Sequence, residues 1–202
     1  MSWDIPKRNA AGYPDPTAAE ALERVQRSLR GAQNRAAGEH FENTIEASLV
    51  WYKQRGDAEI EKTPEPMKPI SKPNKKGQFL ACYEKAAQPD FKGTLRGGRS
   101  VVFEAKHTIS DKIDQNVVSK DQGDRLEYHH NLGAASFVVV GLGFEDFYRV
   151  PWEVWRDMKA IYGHKHMKRG ELEPYRVQYI AGVLKLLEGI ELSYNDKKGA
   201  TP

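Results

Sequence analysis

Apolar positions along this chain switch between helical and strand spacing, with proline- and glycine-rich turns marking the changes. Leu22, Val25 and Leu29 recur at helical spacing behind Thr17-Ala18-Ala19-Glu20, which has the residue types of a capping box. They predict a helix ending at about 29–32. A second helix is predicted over about 38–54, with Phe41, Ile45, Leu49 and Tyr52 as its apolar stripe. Ala58-Glu59-Ile60-Glu61-Lys62 reads as a strand that Thr63-Pro64-Glu65-Pro66 terminates. Gln78-Phe79-Leu80-Ala81-Cys82-Tyr83 reads as another. From Asp90 to Lys106, two strand-like runs flank the turn Arg96-Gly97-Gly98-Arg99, a hairpin signal. Ser119-Lys120-Asp121-Gln122 opens a helix through Leu126 and Tyr128 that Gly133 ends. Ser136 to Leu142 is a continuous apolar run with three consecutive valines, as expected of a central strand covered on both faces.

Phe147-Tyr148-Arg149-Val150 predicts a neighbouring strand. Pro151 suits the first turn of a helix that faces Val154, Trp155, Met158 and Ile161 to the core. Tyr175, Val177 and Tyr179 alternate as in a strand, and 183–190 reads as helical. The order helix, strands, helix, strand, strand, helix predicts an α/β fold, a mixed sheet with helices on both sides. The organisation expected is an irregular arm over 1–16, a single domain over 17–192 with a basic insertion at about 66–78, and a polar tail over 193–202.

Composition narrows the class. The 202 residues suffice for one domain, and 39% hydrophobic residues can build a core despite 29% charged ones. A net charge of +3 is too small to identify a nucleic-acid binder, so charge distribution must decide. One cysteine, Cys82, excludes an intramolecular disulfide framework and a multi-cysteine zinc site, and it fits a reducing, cytoplasmic setting. It is expected to be a small, half-buried residue. No apolar run approaches the ~18 residues of a membrane span, and the first residues lack a signal-peptide core.

The candidate chemistry lies in the hairpin. On the second strand Val101, Phe103 and Ala105 share one face, and Val102, Glu104 and Lys106 the other. Charge among Val and Phe is costly unless paired. Asp90, Glu104 and Lys106 converging at one strand end would supply a reason. Two carboxylates can hold a hard divalent cation, and an ammonium beside them can stabilise charge during attack on a phosphodiester. Glu42 and Glu46, four apart on the predicted helix, border its apolar stripe, and either could add a third carboxylate. The run 67–77 carries Lys68, Lys72, Lys75 and Lys76 without an acid, as a solvated loop or a phosphate-contacting one would. His129-His130-Asn131 lacks the frame of an HNH nuclease, and His164 and His166 in a basic turn suit solvent better than a metal.

These residues carry a resemblance. Pro89-Asp90 with Glu104-Ala105-Lys106 matches the PD-(D/E)XK nuclease pattern. The chain further resembles the RecU family of Holliday junction resolvases in Gly38-Glu39-His40-Phe41-Glu42, in Ala58 to Pro66, in Asp90-Phe91-Lys92-Gly93 with Gly98-Arg99 and Phe103 to Lys106, and in Gln122. Asp121 stands where the family has His, and Phe91 where it has Tyr. The resemblance implies a restriction-endonuclease-like mixed sheet with a projecting stalk. It also implies a homodimer that cuts two opposing strands of a four-way DNA junction with Mg²⁺, Mn²⁺ being a substitute. Asp90, Glu104 and the Ala105 carbonyl would hold the ion, with Glu42 preferred over Glu46 as third carboxylate. Lys106 would contact the attacking water or the scissile phosphate, Gln122 would orient a water or the lysine, and Arg99 and the four lysines would bind DNA. The alternatives are a restriction-type or repair nuclease of the same fold, and a non-catalytic DNA-binding recombination modulator.

Overall fold

The computed structural model describes residues 18–64, 67–83 and 88–190, so the expected arm, Thr17 of the capping box, Glu65-Pro66 and the tail lie outside them. The chain divides into two units, residues 1–36 and 37–202. The described part of the first is the opening of helix α1 (Ala18–Gln54), where Leu22, Val25 and Leu29 are exposed. Two helices were expected, and one runs through. Ala32, Ala36 and Ala37, the best of helix formers, surround Gly31 and Gly38, each of which costs only about 1 kcal/mol in a helix.

In the second unit the elements after α1 are β1 (Ala58–Lys62), β2 (Met67–Pro69), β3 (Ala81–Tyr83), β4 (Phe91–Leu95), β5 (Ser100–Thr108), β6 (Lys112–Asp114), α2 (Lys120–Asn131), β7 (Ala135–Leu142), β8 (Asp146–Pro151), α3 (Trp152–Arg156), α4 (Met158–Tyr162), β9 (His166–Lys168), α5 (Arg169–Leu172), β10 (Tyr179–Ile180) and β11 (Val183–Leu184). Among the described residues the main sheet has five strands in the order β1-β4-β5-β7-β8. Only β5 and β7 are parallel, because α2 crosses over between them, and the sheet is mixed as expected. Three phenylalanines mark its register. Phe91 faces Phe103 and Phe103 faces Phe137, with stacked rings 4.7 and 5.0 Å apart.

The alternation along β5 divides the core in two. Val101 and Phe103 join Phe41, Ile45, Leu49 and Tyr52 of α1, while Val102 joins Leu126 of α2 and Trp155 of α3. Helices therefore cover both faces. Gly93 of β4 permits a close approach of β1, since a Cβ there would lie 2.0 Å from the Glu59 carbonyl oxygen. The C-terminal segment is tied to α1 by Leu184 N–H donating to Ser48 Oγ (2.8 Å) and Leu187 N–H to the Tyr52 hydroxyl (3.1 Å).

Three expectations are corrected. Residues 183–190 are not helical but continue from the β10–β11 hairpin, whose turn has positive φ at Ala181 (50°) and Gly182 (81°). The helix after Pro151 is two short ones, and the change of phase at Asp157 leaves Ile161 52% exposed while Met158 is buried. Cys82 is exposed, on the β2–β3 ribbon opposite Lys68.

Candidate active site

Antiparallel pairing of β4 with β5 puts Phe91 opposite Phe103, so Asp90 arrives level with Glu104. The end of β1 fixes Asp90 further, Thr63 N–H donating to its carbonyl (2.8 Å). Asp90 Oδ2 accepts from Ala105 N–H (3.0 Å) and from Lys106 Nζ (3.2 Å). Glu104 Oε2 accepts from Lys106 Nζ (2.9 Å) and from Gln122 Nε2 (2.5 Å). Strand alternation would send Glu104 and Lys106 to one face, and both meet Asp90 there.

Gln122 is held in turn by its own helix. The Ser119 N–H donates to Gln122 Oε1 (3.1 Å), and Ser119 Oγ accepts from Gln122 N–H, completing a capping box. With its oxygen engaged by the cap, the amide has its nitrogen left for Glu104. Trp152 Nε1 and Arg156 Nη1 both donate to Glu127 (2.6 and 3.0 Å to Oε2), which fixes α2 against α3.

Glu104 has no exposed surface, and among the described residues its Oε1 has no hydrogen-bond partner. Burial first, and the neighbouring Asp90 carboxylate second, push its acid up to about 8, against the pull of Lys106. Burial draws the Lys106 ammonium down, but Glu104 and Asp90 outweigh it and hold the group above its usual value. A buried carboxylate with one unpaired oxygen, beside a second carboxylate, is short of positive charge. The donor set therefore fits a hard divalent cation bound through oxygen.

The remaining expected residues lie as follows. Glu42 Oε2 and Glu46 Oε1 both accept from Lys62 Nζ, at 2.7 and 3.2 Å, with all three side chains about half exposed. Such exposed pairs contribute ~0–1 kcal/mol each. Lys62 is the register partner of Phe91, so both α1 carboxylates are moored next to the strand that follows Asp90, through an ammonium. Among the described residues no three acidic, histidine or cysteine side chains gather as a metal-ligand group. Lys68, Lys72, Lys75 and Lys76 lie on an exposed hairpin arm. Its base is the β2–β3 pairing, and at its tip Asn74 Oδ1 accepts from Lys76 and Gln78 N–H (2.8 and 3.1 Å). Arg99 is at the opposite end of β5 from Lys106, its Nε donating to the Gly133 carbonyl (3.0 Å). His129, His130 and Asn131 close α2, and the rings of His164 and His166 stack on each other 3.9 Å apart.

Sequence reasoning assigned no role to Lys62 or Glu127. Lys62 had a signal, a lysine on an otherwise acidic edge strand. Glu127 had none, because its partners lie 25 and 29 residues away. It also overlooked a cleft of about 780 Å³ along a face of α2 that excludes Gln122, lined by Ser119, Gly123, Trp152, Trp155 and Lys165 among others.

A family model described as RecU, Recombination protein U, matches residues 36–192. No curated protein matches the chain. Among solved structures, the chain is similar to Archaeoglobus fulgidus Hjc, a Holliday junction resolvase from an archaeal hyperthermophile. The identity is 14%, the TM-score is 0.42, and 67% of this chain and 91% of that one are covered. With well over half its length matched, the chain belongs to the RecU family.

Proposed function

We propose that this RecU-family protein is a divalent-metal-dependent endonuclease that resolves four-way DNA junctions by paired nicks, acting as a homodimer. The observation that carries the reading is the buried Glu104 carboxylate, one oxygen partnerless and the other accepting from Gln122 and from the Lys106 that it shares with Asp90. A protein that only bound DNA would gain nothing from acid buried at a phosphate-facing site, because carboxylates repel phosphate. Asp90, Glu104 and the Ala105 carbonyl would hold Mg²⁺ or Mn²⁺, and Glu42 would join them by releasing Lys62. When bound, the ion would acidify a coordinated water and offset charge at phosphorus.

The chain's own groups account for the rest. Hydrolysis adds a water oxygen to phosphorus and breaks one P–O ester bond, leaving a hydroxyl and a phosphate monoester. Lys106, largely enclosed and kept protonated by its two carboxylates, donates to a non-bridging oxygen of the scissile phosphate or to the attacking water. Gln122, locked by the cap, keeps Glu104 from rotating. A junction presents two equivalent strands, and a two-fold dimer presents two equivalent centres.

The test is cleavage of linear duplex, fork and four-way junction with Mg²⁺ or with EDTA. Metal-dependent nicks at symmetric positions in two opposing junction strands are expected. Equal cutting of linear duplex would instead support the restriction-type alternative, and binding without cutting would support the modulator.

The basic arm supplies a further expectation. Its four lysines lie on a ribbon that begins at Met67 and returns just before the Asp90 strand, and two such arms from a dimer could enter the open centre of a junction. Changing Lys68, Lys72, Lys75 and Lys76 to Ser should weaken junction binding more than duplex binding. It should also flatten the salt dependence by roughly one log–log unit per lost phosphate contact. Equal losses on both DNAs would make the arm a generic basic surface.

A further inference from the structure

Between Lys106 and Gln122 the chain leaves the catalytic centre, forms one strand of a small ribbon, and comes back. β6 pairs antiparallel with β9, so that Ile113 faces Met167, both buried in the core on the α2 side. Strand alternation then turns Lys112, Asp114, His166 and Lys168 outward. The register sets Lys112 directly opposite Lys168 and Asp114 opposite His166. Like charges opposed across a ribbon are destabilising, and nothing in the fold requires this pair. The nearest acid, Asp114, reaches Lys112 only at 3.8 Å. Lys168 is exposed, and among the described residues it has no ion-pair partner.

The stacked histidines belong to the same face. His164 Nδ1 bonds the His166 carbonyl (2.8 Å) and His164 Nε2 approaches Glu171 Oε1 (3.2 Å), which holds the pair rigid. Partial burial first, then His164, Lys112 and Lys168, hold the His166 imidazole below its usual range, against the pull of Asp114. The outer face thus opposes two lysines, with Asp114 at the edge of ion-pair range of Lys112 and Glu171 engaged by His164 and the Lys168 N–H.

We infer that the outer face of the β6–β9 ribbon, through the opposed Lys112 and Lys168, is a second DNA-backbone contact near the catalytic centre. The inference rests on the nuclease reading above. Polyanionic phosphate is the chemistry that relieves an opposed lysine pair, and phosphate contacts fix register without reading sequence. The location adds a constraint. Lys112 follows Lys106 by six positions, a reach of at most about 20 Å, or roughly six nucleotide steps of one DNA strand. A phosphate held here lies on duplex near the scissile one, and the contact needs no junction, unlike the one proposed for the 67–83 hairpin.

The experiment measures binding of the full chain to linear duplex and to a four-way junction across a salt series in EDTA. The wild type is compared with Lys112→Ser/Lys168→Ser and with Lys112→Arg/Lys168→Arg. The serine pair should lower the log–log salt slope by roughly two units for both DNAs, and reduce both affinities by the same factor. The arginine pair should keep the wild-type slope. Thermal melting of the serine pair should be unchanged or higher, because the opposed charges are gone, and this separates lost contact from lost fold. An unchanged slope, or a loss confined to the junction, would overturn the ribbon's role while leaving the nuclease reading standing. A wild type that binds neither DNA would overturn both.

Discussion

Glu104→Gln should reduce single-turnover cleavage of a four-way junction by about 10³-fold or more, while junction affinity measured in EDTA stays within a few-fold of wild type. The magnitude follows that of losing one preorganised charge-stabilising group in a water-poor site. The substitution keeps the volume and the ability to accept from Lys106 and Gln122, so the packing survives. It removes the charge that the partnerless Oε1 offers to a cation. Glu104 has no exposed surface, so the change leaves the DNA-facing surface as it is, and binding is spared. The loss has a second readout that requires no DNA. Ligand that binds only the folded state raises the melting temperature, so added Mg²⁺ should stabilise the wild type and leave Glu104→Gln unmoved. Asp90→Asn should behave likewise. Cleavage at wild-type rates in either variant would remove both residues from the catalytic centre.

Gly93→Ala should cost about 3 kcal/mol or more, or prevent folding, although it adds a single methyl group. The methyl carbon would lie 2.0 Å from the Glu59 carbonyl oxygen and 2.5 Å from Ile60 Cα. Both are main-chain atoms of the neighbouring strand, so no rotamer change relieves the clash, and overpacking of this kind is among the costly substitutions. β1 would have to separate from β4. The strand that carries Lys62 would move with it, and so would the Thr63 contact that fixes the Asp90 carbonyl. Urea unfolding reads the stability change. A variant with wild-type midpoint and slope would show that the two strands can part without cost.

The strand that carries Glu104 and Lys106 was legible because its period of two is written directly into Val101 to Lys106, and the side to which Glu104 points follows from its neighbours alone. The helix start at Gln122 was legible for a similar local reason, since a capping box is a four-residue pattern, whereas its place beside Glu104 was suggested by the family resemblance alone. The β10–β11 hairpin was missed because Ala181 occupies a positive-φ turn position where Asn, Asp or Gly would have signalled a turn. Leu184, Leu186 and Leu187 then imitate helical spacing. The break expected in α1 failed because two glycines weigh less than the alanines around them. Lys62 offered only a local hint and Glu127 none, because the meaning of each is a partner brought by the fold, and no short window of sequence contains both members.

Cys82 gives the chain a built-in reporter. It is the one cysteine of the sequence, it is exposed, and the β2–β3 pairing places it on the basic arm, opposite Lys68. A thiol-reactive fluorophore therefore attaches at a single position without any engineering of the chain. Its emission would follow the arm as it enters or leaves DNA, independently of whether a strand has been cut. In a dimer the two labels would form a symmetric pair, and the distance between them would measure how far the arms part around a junction.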